Sequence, residues 1–276
     1  MILSPAPPPG SDAAMETMVP VDGGEVWARD EGDPEGPGLP LVLLHPGVGD
    51  SRIWDDVVPA VSGRRRVIRY DARGFGRSPR PSTRYSQLRD ALAVLDHFGI
   101  GRAVVAASSM GGATAFSLAV AAPERVAGLA QFAPGATGAT GLESPEVNAE
   151  IERLAKAGDM DGLVALGLRL WGATDPAPDG EAARQLRAAI PAWFTTYGQD
   201  VADPPTFDRL GEIAVPCVLV IGERDQREVI ACNEEMAARV PGCRVVRLAG
   251  CDHFPTLREP GTVARLILEL CERVDP

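Results

Sequence analysis

The sequence predicts an α/β fold, a mostly parallel sheet with helices on both faces, interrupted late in the chain by a helical insertion. Three observations carry this expectation. Short runs of strand type recur at 41–44, 66–70, 104–107, 126–132 and 215–221, continuously apolar at 41–44, 104–107 and 215–221. Helix-like segments alternate with them, as parallel strands joined by crossovers require. From about 136 to 210 the alternation stops, and three helix-like stretches follow one another with no strand between them.

In chain order, residues 1–18 are broken up by Pro and Gly, carry no basic start, and read as a disordered tail without a secretory signal. The core is then expected over 19–135 and 211–276, with the insertion over 136–210. At 21–29, VDGGEVWAR reads as two short strands around a Gly-Gly turn. The run at 41–44 ends in His45-Pro46-Gly47-Val48-Gly49, where glycines after a strand allow a sharp turn and leave N–H groups free. His45 is expected to bond to backbone, and Trp54, on a helix after this loop, to pack in the core. Asp71 to Ser78, DARGFGRS, reads as a tight loop with structural roles for Asp71 and Arg73 and a pocket position for Phe75. No Lys or helix start follows it, so it does not suit phosphate.

Leu88, Leu92 and Leu95 share one stripe of a helix over 85–98, with His97 at the surface in its last turn. The strand at 104–107 then passes through Ser108 and Ser109 into Met110-Gly111-Gly112 and an Ala-rich helix. Ser109 is thereby expected at the apex of a strained turn, above the first helical N–H groups. The insertion helices are read at 146–156, 160–171 and 181–197. Met160, Leu163, Leu166 and Leu170 are expected in the core, whereas Trp171, Trp193, Phe194 and Tyr197 are candidates to face a substrate, in a chain only 5% aromatic. The strand at 215–221 delivers Asp225 just past its end. Another, at 244–248, leads to Gly250-Cys251-Asp252-His253, and a last helix is expected over 262–271.

With 276 residues, 45% of them apolar, the chain suits one domain carrying an inserted subdomain. No apolar run reaches the ~18 residues of a membrane span. A net charge of −11 argues against nucleic acid or an anionic membrane as partner. The five cysteines, 217, 232, 243, 251 and 271, are odd in number and lack C-x-x-C spacing, which favours reduced thiols and a cytoplasmic location. Cys251 is expected to be a packed thiol close to His253. Three dispersed histidines offer no metal-ligand spacing, so no metal is expected. The oligomeric state, including a homodimer, stays open.

Ala107-Ser108-Ser109-Met110-Gly111 resembles the G-x-S-x-G nucleophile elbow of the α/β-hydrolases, with Ala107 in place of the first Gly. The His45 loop is similar to that family's HG loop, and Asp71 to Ser78 to its D-x-R-G-x-G-x-S segment. Gly250 to His253 is similar to its G-x-G-H segment, with Cys251-Asp252 replacing smaller residues. The order Ser109, Asp225, His253, each after a strand, is the family's order, and the resemblance covers about 19–274. It implies an eight-stranded α/β-hydrolase sheet with a helical cap over the nucleophile. It further implies Ser109 as nucleophile, His253 as base, Asp225 as the orienting acid, and the amides of Val48 and Met110 as the oxyanion hole.

The activity so implied is hydrolysis of a carboxylic ester or lactone of a small to medium, fairly apolar molecule through an acyl-enzyme, without a cofactor. Dehalogenases and epoxide hydrolases of this fold carry Asp at the elbow, so Ser109 points away from both. The same triad also serves C–C bond hydrolysis, cofactor-free perhydrolysis, and release or cyclisation of a secondary metabolite. A non-catalytic binding protein of this fold is the reading of a different class.

Overall fold

The computed structural model describes residues 14–142, 144–201 and 203–275. The chain opens with a hairpin, β1 (Met15–Val21) and β2 (Gly24–Glu31), turned at Asp22-Gly23, where Gly23 takes φ +69°. The tail expected over 1–18 is thus too long: Met15 to Met18 already pair with Asp30 to Trp27, while 1–13 lie outside the described residues. Ladder hydrogen bonds hold this half-exposed strand, so its apolar pattern is faint.

The chain continues through β3 (Leu41–Leu44), a 3₁₀ turn (Ser51–Trp54), α1 (Val58–Ser62), β4 (Val67–Tyr70), α2 (Gln87–His97), β5 (Ala103–Ser108), α3 (Met110–Ala121) and β6 (Val126–Phe132). Three helices follow without a strand: α4 (Pro145–Lys156), α5 (Met160–Trp171) and α6 (Glu181–Thr195). The core resumes with β7 (Cys217–Gly222), α7 (Arg227–Arg239), β8 (Arg244–Leu248), α8 (Pro255–Arg258) and α9 (Pro260–Val274). The eight strands lie in the order β1-β2-β4-β3-β5-β6-β7-β8, antiparallel across β1, β2 and β4 and parallel from β4 to β8.

The uninterrupted apolar runs have a direct cause. In β7, Cys217, Leu219 and Ile221 enter the core layer shared with α2, α3 and α7, while Val218 and Val220 enter the layer shared with α1 and α9. Alternate side chains point to opposite faces, and both faces are covered. The cap helices join the second layer through Leu154, Leu163, Leu166, Leu186 and Ile190, with Met160 and Leu170 packed against it. Trp54, fully buried, meets the edge of Phe132 at 5.9 Å in the same layer. None of the described helices is long and apolar enough to cross a membrane.

The first turn of α3 lies against the end of β3. A Cβ built on Gly111 would sit 2.7 Å from the backbone carbonyl of Leu44. Gly261, in the first turn of α9, faces open space. Gly111→Ala is therefore expected to cost about 1–3 kcal/mol by overpacking, and Gly261→Ala to be neutral or stabilising by up to ~1 kcal/mol. Urea unfolding of the two variants measures both effects, and equal effects would contradict this packing.

Candidate active site

Ser109 joins β5 to α3 with φ +49° and ψ −111°, one of two non-glycine residues with positive φ among those described, the other being Ala133 at the end of β6. Such a backbone costs about 1–3 kcal/mol and persists only where neighbours enforce it. Here Ser109 N–H donates to Phe132 O at 3.2 Å, and Ser109 O accepts from Gly135 N–H at 2.9 Å and Ala113 N–H at 3.2 Å. Ala107 is buried in β5 without positive φ, so its Cβ is accommodated where the motif has Gly. Ser108 is buried as well, and its Oγ has no partner among the described residues.

Three strand ends converge on Ser109. Its Oγ lies 2.9 Å from His253 Nε2, and His253 Nδ1 lies 2.6 Å from Asp225 Oδ2. Asp225 follows β7 and His253 follows β8, and both side chains are buried. The other carboxylate oxygen, Oδ1, accepts from the Gln226 N–H at 2.7 Å, which fixes its orientation. Burial pushes the His253 imidazole toward its neutral form. The charge of Asp225 and its hydrogen bond, aided by the charge of Asp252, outweigh burial and hold His253 above the ordinary imidazole range.

The loop after β3 lies beside this group. Gly49 N–H closes a turn onto Pro46 O at 3.3 Å. His45 Nδ1 donates to Pro46 O at 2.8 Å and Nε2 accepts from Ala72 N–H at 2.9 Å, the backbone role expected of it. The amides of Gly47, Val48 and Met110 have no acceptor among the described residues. A Cβ on Gly47 would lie 3.5 Å from Met110 Sδ, while Val48 is buried in the core layer with Trp54. The following loop is structural, as expected: Asp71 accepts from the N–H groups of Ser51 and Arg77, both at 2.8 Å, and Arg73 pairs twice with Asp90 at 2.7 Å.

Of the five candidate pocket residues, three gather. Phe75 is buried, 5.1 Å ring to ring from His45, and packs with Met110 and Trp193. Trp171 and Trp193 meet edge to face at 5.8 Å, and Trp193 Nε1 donates to Gly47 O at 2.7 Å. Phe194 and Tyr197 are corrected: they are 46% and 88% exposed. Ala189, Ala192 and Trp193 form the inward stripe of α6, which turns Phe194 outward, and Tyr197 lies beyond the helix end at Thr195.

In the sequence Asp252 stands out only as an irregularity in the histidine motif. It is fully buried and accepts from Thr174 N–H at 3.0 Å, Thr174 Oγ1 at 2.6 Å, Phe254 N–H at 3.1 Å and Arg258 Nη2 at 2.8 Å. Burial opposes its charge, but the Arg258 and Thr174 hydrogen bonds win and hold its carboxyl below the usual range. The signal for it lay in Arg258, an available partner six residues on at the start of the last helices. Its neighbour Cys251 is fully buried, and burial, with the charges of Glu259 and Asp252, pushes its thiol up to about 12, as befits a packed and unreactive group.

Comparison with known proteins places most of the chain beside a known family. The profile of the alpha/beta hydrolase family matches residues 41–266. The chain is 29% identical over 238 residues to a pimeloyl-[acyl-carrier protein] methyl ester esterase of Nitrosomonas europaea, covering 82% of this chain and 92% of the relative. It is 25% identical over 261 residues to the 2-hydroxy-6-oxo-6-(2'-aminophenyl)hexa-2,4-dienoic acid hydrolase of Metapseudomonas resinovorans, covering 86% of each. The enol-lactonase of Burkholderia xenovorans LB400 superposes with a TM-score of 0.78 at 25% identity, over 92% of this chain and 99% of that one. With the family match running from β3 into α9, the chain belongs to the alpha/beta hydrolase family, as one of its hydrolytic enzymes.

Proposed function

We propose that this hydrolase cleaves a carboxylic ester or lactone of a small to medium, fairly apolar molecule through an acyl-enzyme on Ser109. The observation that carries the reading is the continuous chain from Ser109 Oγ to His253 Nε2 at 2.9 Å and from His253 Nδ1 to Asp225 at 2.6 Å. With Nδ1–H donated to Asp225, Nε2 is left as the acceptor, so the imidazole takes the serine proton as Oγ attacks the carbonyl carbon. Asp225 stabilises the imidazolium that forms. The tetrahedral oxygen is received by Met110 N–H, at the positive end of α3, and by an amide of the Gly47-Val48 turn. His253 then gives its proton to the departing alcohol. In the second half it activates a water that attacks the acyl carbon and releases Ser109.

Phe75, Met110, Trp171 and Trp193 supply apolar walls, which favours an apolar acyl or alcohol group over a charged one. The insertion acts as a cap that is also a clamp. Trp171 O accepts from His253 N–H at 3.2 Å, Trp193 holds Gly47, and Gln185 Oε1 accepts from Asp50 N–H at 3.2 Å. Through Thr174, Asp252 ties the segment after α5 to the histidine loop.

A fluorophosphonate is expected to label Ser109, with labelling abolished in Ser109→Ala; a folded wild-type protein that resists it would remove the nucleophile assignment. A panel of p-nitrophenyl esters and lactones, with a vinylogous 1,5-diketone as C–C substrate, tests the bond cleaved, and turnover of the diketone alone would overturn the ester reading.

The neutral form of His253 is the active one, and its pKa is raised, so kcat/KM should fall as pH drops through a value above the free imidazole's ~6.5. Asp225→Asn is expected to move that acid limb downward and to lower kcat by ~10³–10⁴-fold, as loss of the orienting acid does elsewhere. An unmoved limb would mean that another group sets it. Arg258→Met leaves Asp252 buried without its charge partner and should cost about 3–5 kcal/mol in stability, whereas a surface pair such as Arg184 with Glu181 is worth under ~1 kcal/mol. Thermal unfolding of Arg258→Met and Arg184→Met ranks the two.

A further inference from the structure

Two of the five cysteines stand together, far from the site just described. Cys217 is the first residue of β7, and Cys243 directly precedes β8. The parallel register pairs Val218 with Arg244, so the two cysteines are cross-strand neighbours one step earlier, and their side chains lie on the same sheet face. Their sulfurs are 3.7 Å apart, from positions 26 residues apart in sequence. Neighbouring strands run ~4.8 Å apart, inside the ~4.4–6.8 Å Cα separation that a disulfide spans. Cys217 is buried. Cys243 is partly exposed, in a turn closed by its own N–H onto Val240 O at 3.2 Å, so an oxidant can reach one sulfur of the pair and not the other.

The remaining cysteines give the contrast. Cys232, Cys251 and Cys271 are buried, and burial pushes all three thiols up, Cys271 to about 11. Cys243 goes the other way: its hydrogen bond with Cys217, with one from the Leu219 backbone, outweighs burial and holds its thiol below the ordinary range. Cys217 is pushed up by the same bond and by burial. The more acidic sulfur is therefore also the more accessible one.

We propose that Cys217 and Cys243 form a peroxide-responsive dithiol that closes into a disulfide between β7 and β8. The Cys243 thiolate attacks a hydroperoxide, breaking its O–O bond to give a sulfenic acid and an alkoxide or hydroxide, which takes up a proton. Cys217 then attacks the sulfenic sulfur, the S–O bond breaks, and water leaves with the Cys217 proton. In sum, two thiols are oxidised and one hydroperoxide is reduced to an alcohol, or to water in the case of hydrogen peroxide, with one further water formed. The bond would staple β8, an edge strand held by β7 alone, to the body of the sheet. It lies at the start of β7 and β8, whereas Asp225 and His253 follow their ends, so hydrolysis should continue while resistance to heat rises.

The test is mass spectrometry of the full chain after treatment with near-stoichiometric hydrogen peroxide, followed by alkylation and non-reducing peptide mapping. The expected result is a protein lighter by two hydrogens, a cross-linked Cys217–Cys243 peptide that dithiothreitol reverses, alkylated Cys232, Cys251 and Cys271 after unfolding, and a melting temperature higher by several degrees. In Cys217→Ser, Cys243 should instead be trapped by dimedone as the sulfenic acid, and in Cys243→Ser, Cys217 should remain a thiol. Absence of the cross-link from the wild type overturns the proposal, whether both thiols stay free or Cys243 alone is driven to the sulfinic acid.

Discussion

A serine cannot take φ +49° without being held there, and the surroundings of Ser109 are shaped by that constraint. The flanking strand β5 is central and buried on both faces, so it cannot yield. On the other side, α3 can begin directly after Ser109 because Gly111 lets it rest on Leu44 and Gly112 lets it pass Pro134, where side chains would collide. The backbone of Ser109 is bonded on both sides to the end of β6, which carries the second strained residue, Ala133. What this arrangement gains is direction: Oγ leaves the sheet edge toward the loops that follow β7 and β8.

The remaining parts of the site depend on that edge being closed from above. The cap does not simply cover it. Trp171 and Thr174 bond to the histidine loop, Trp193 and Gln185 to the loop after β3. Asp252 is the point where these ties carry charge. Its carboxylate is buried, faces Arg258, and takes both donors of Thr174, so the position of the cap and that of His253 are set by one ion. In water such a pair contributes little; buried, its geometry is costly to break.

Much of this was legible in the sequence because buried parallel strands leave a signal that depends on composition alone. The runs at 41–44 and 126–132 coincide with β3 and β6, and Met160 to Trp171 is a helix from end to end. The order of Ser109, Asp225 and His253 likewise matched the group that the fold brings together. Less legible were features that depend on a partner distant in the chain. The half-exposed strand β1 is ordered by its pairing with β2, which Met15 to Met18 do not advertise. Phe194 and Trp193 are adjacent in sequence and opposite in fate, because a helix turns successive residues by about 100°. Asp252 and the pair Cys217 and Cys243 acquire meaning only when strands and cap are assembled.

The reading of the site requires Ser109 and His253 to act as one unit rather than as two independent contributors. The most direct measurement is the turnover of a p-nitrophenyl ester by Ser109→Ala, His253→Ala and the double variant. If the two act together, the double variant is no slower than the slower single one, since either change alone already removes the attacking alkoxide. Losses that multiply, each residue contributing its own factor, would contradict it.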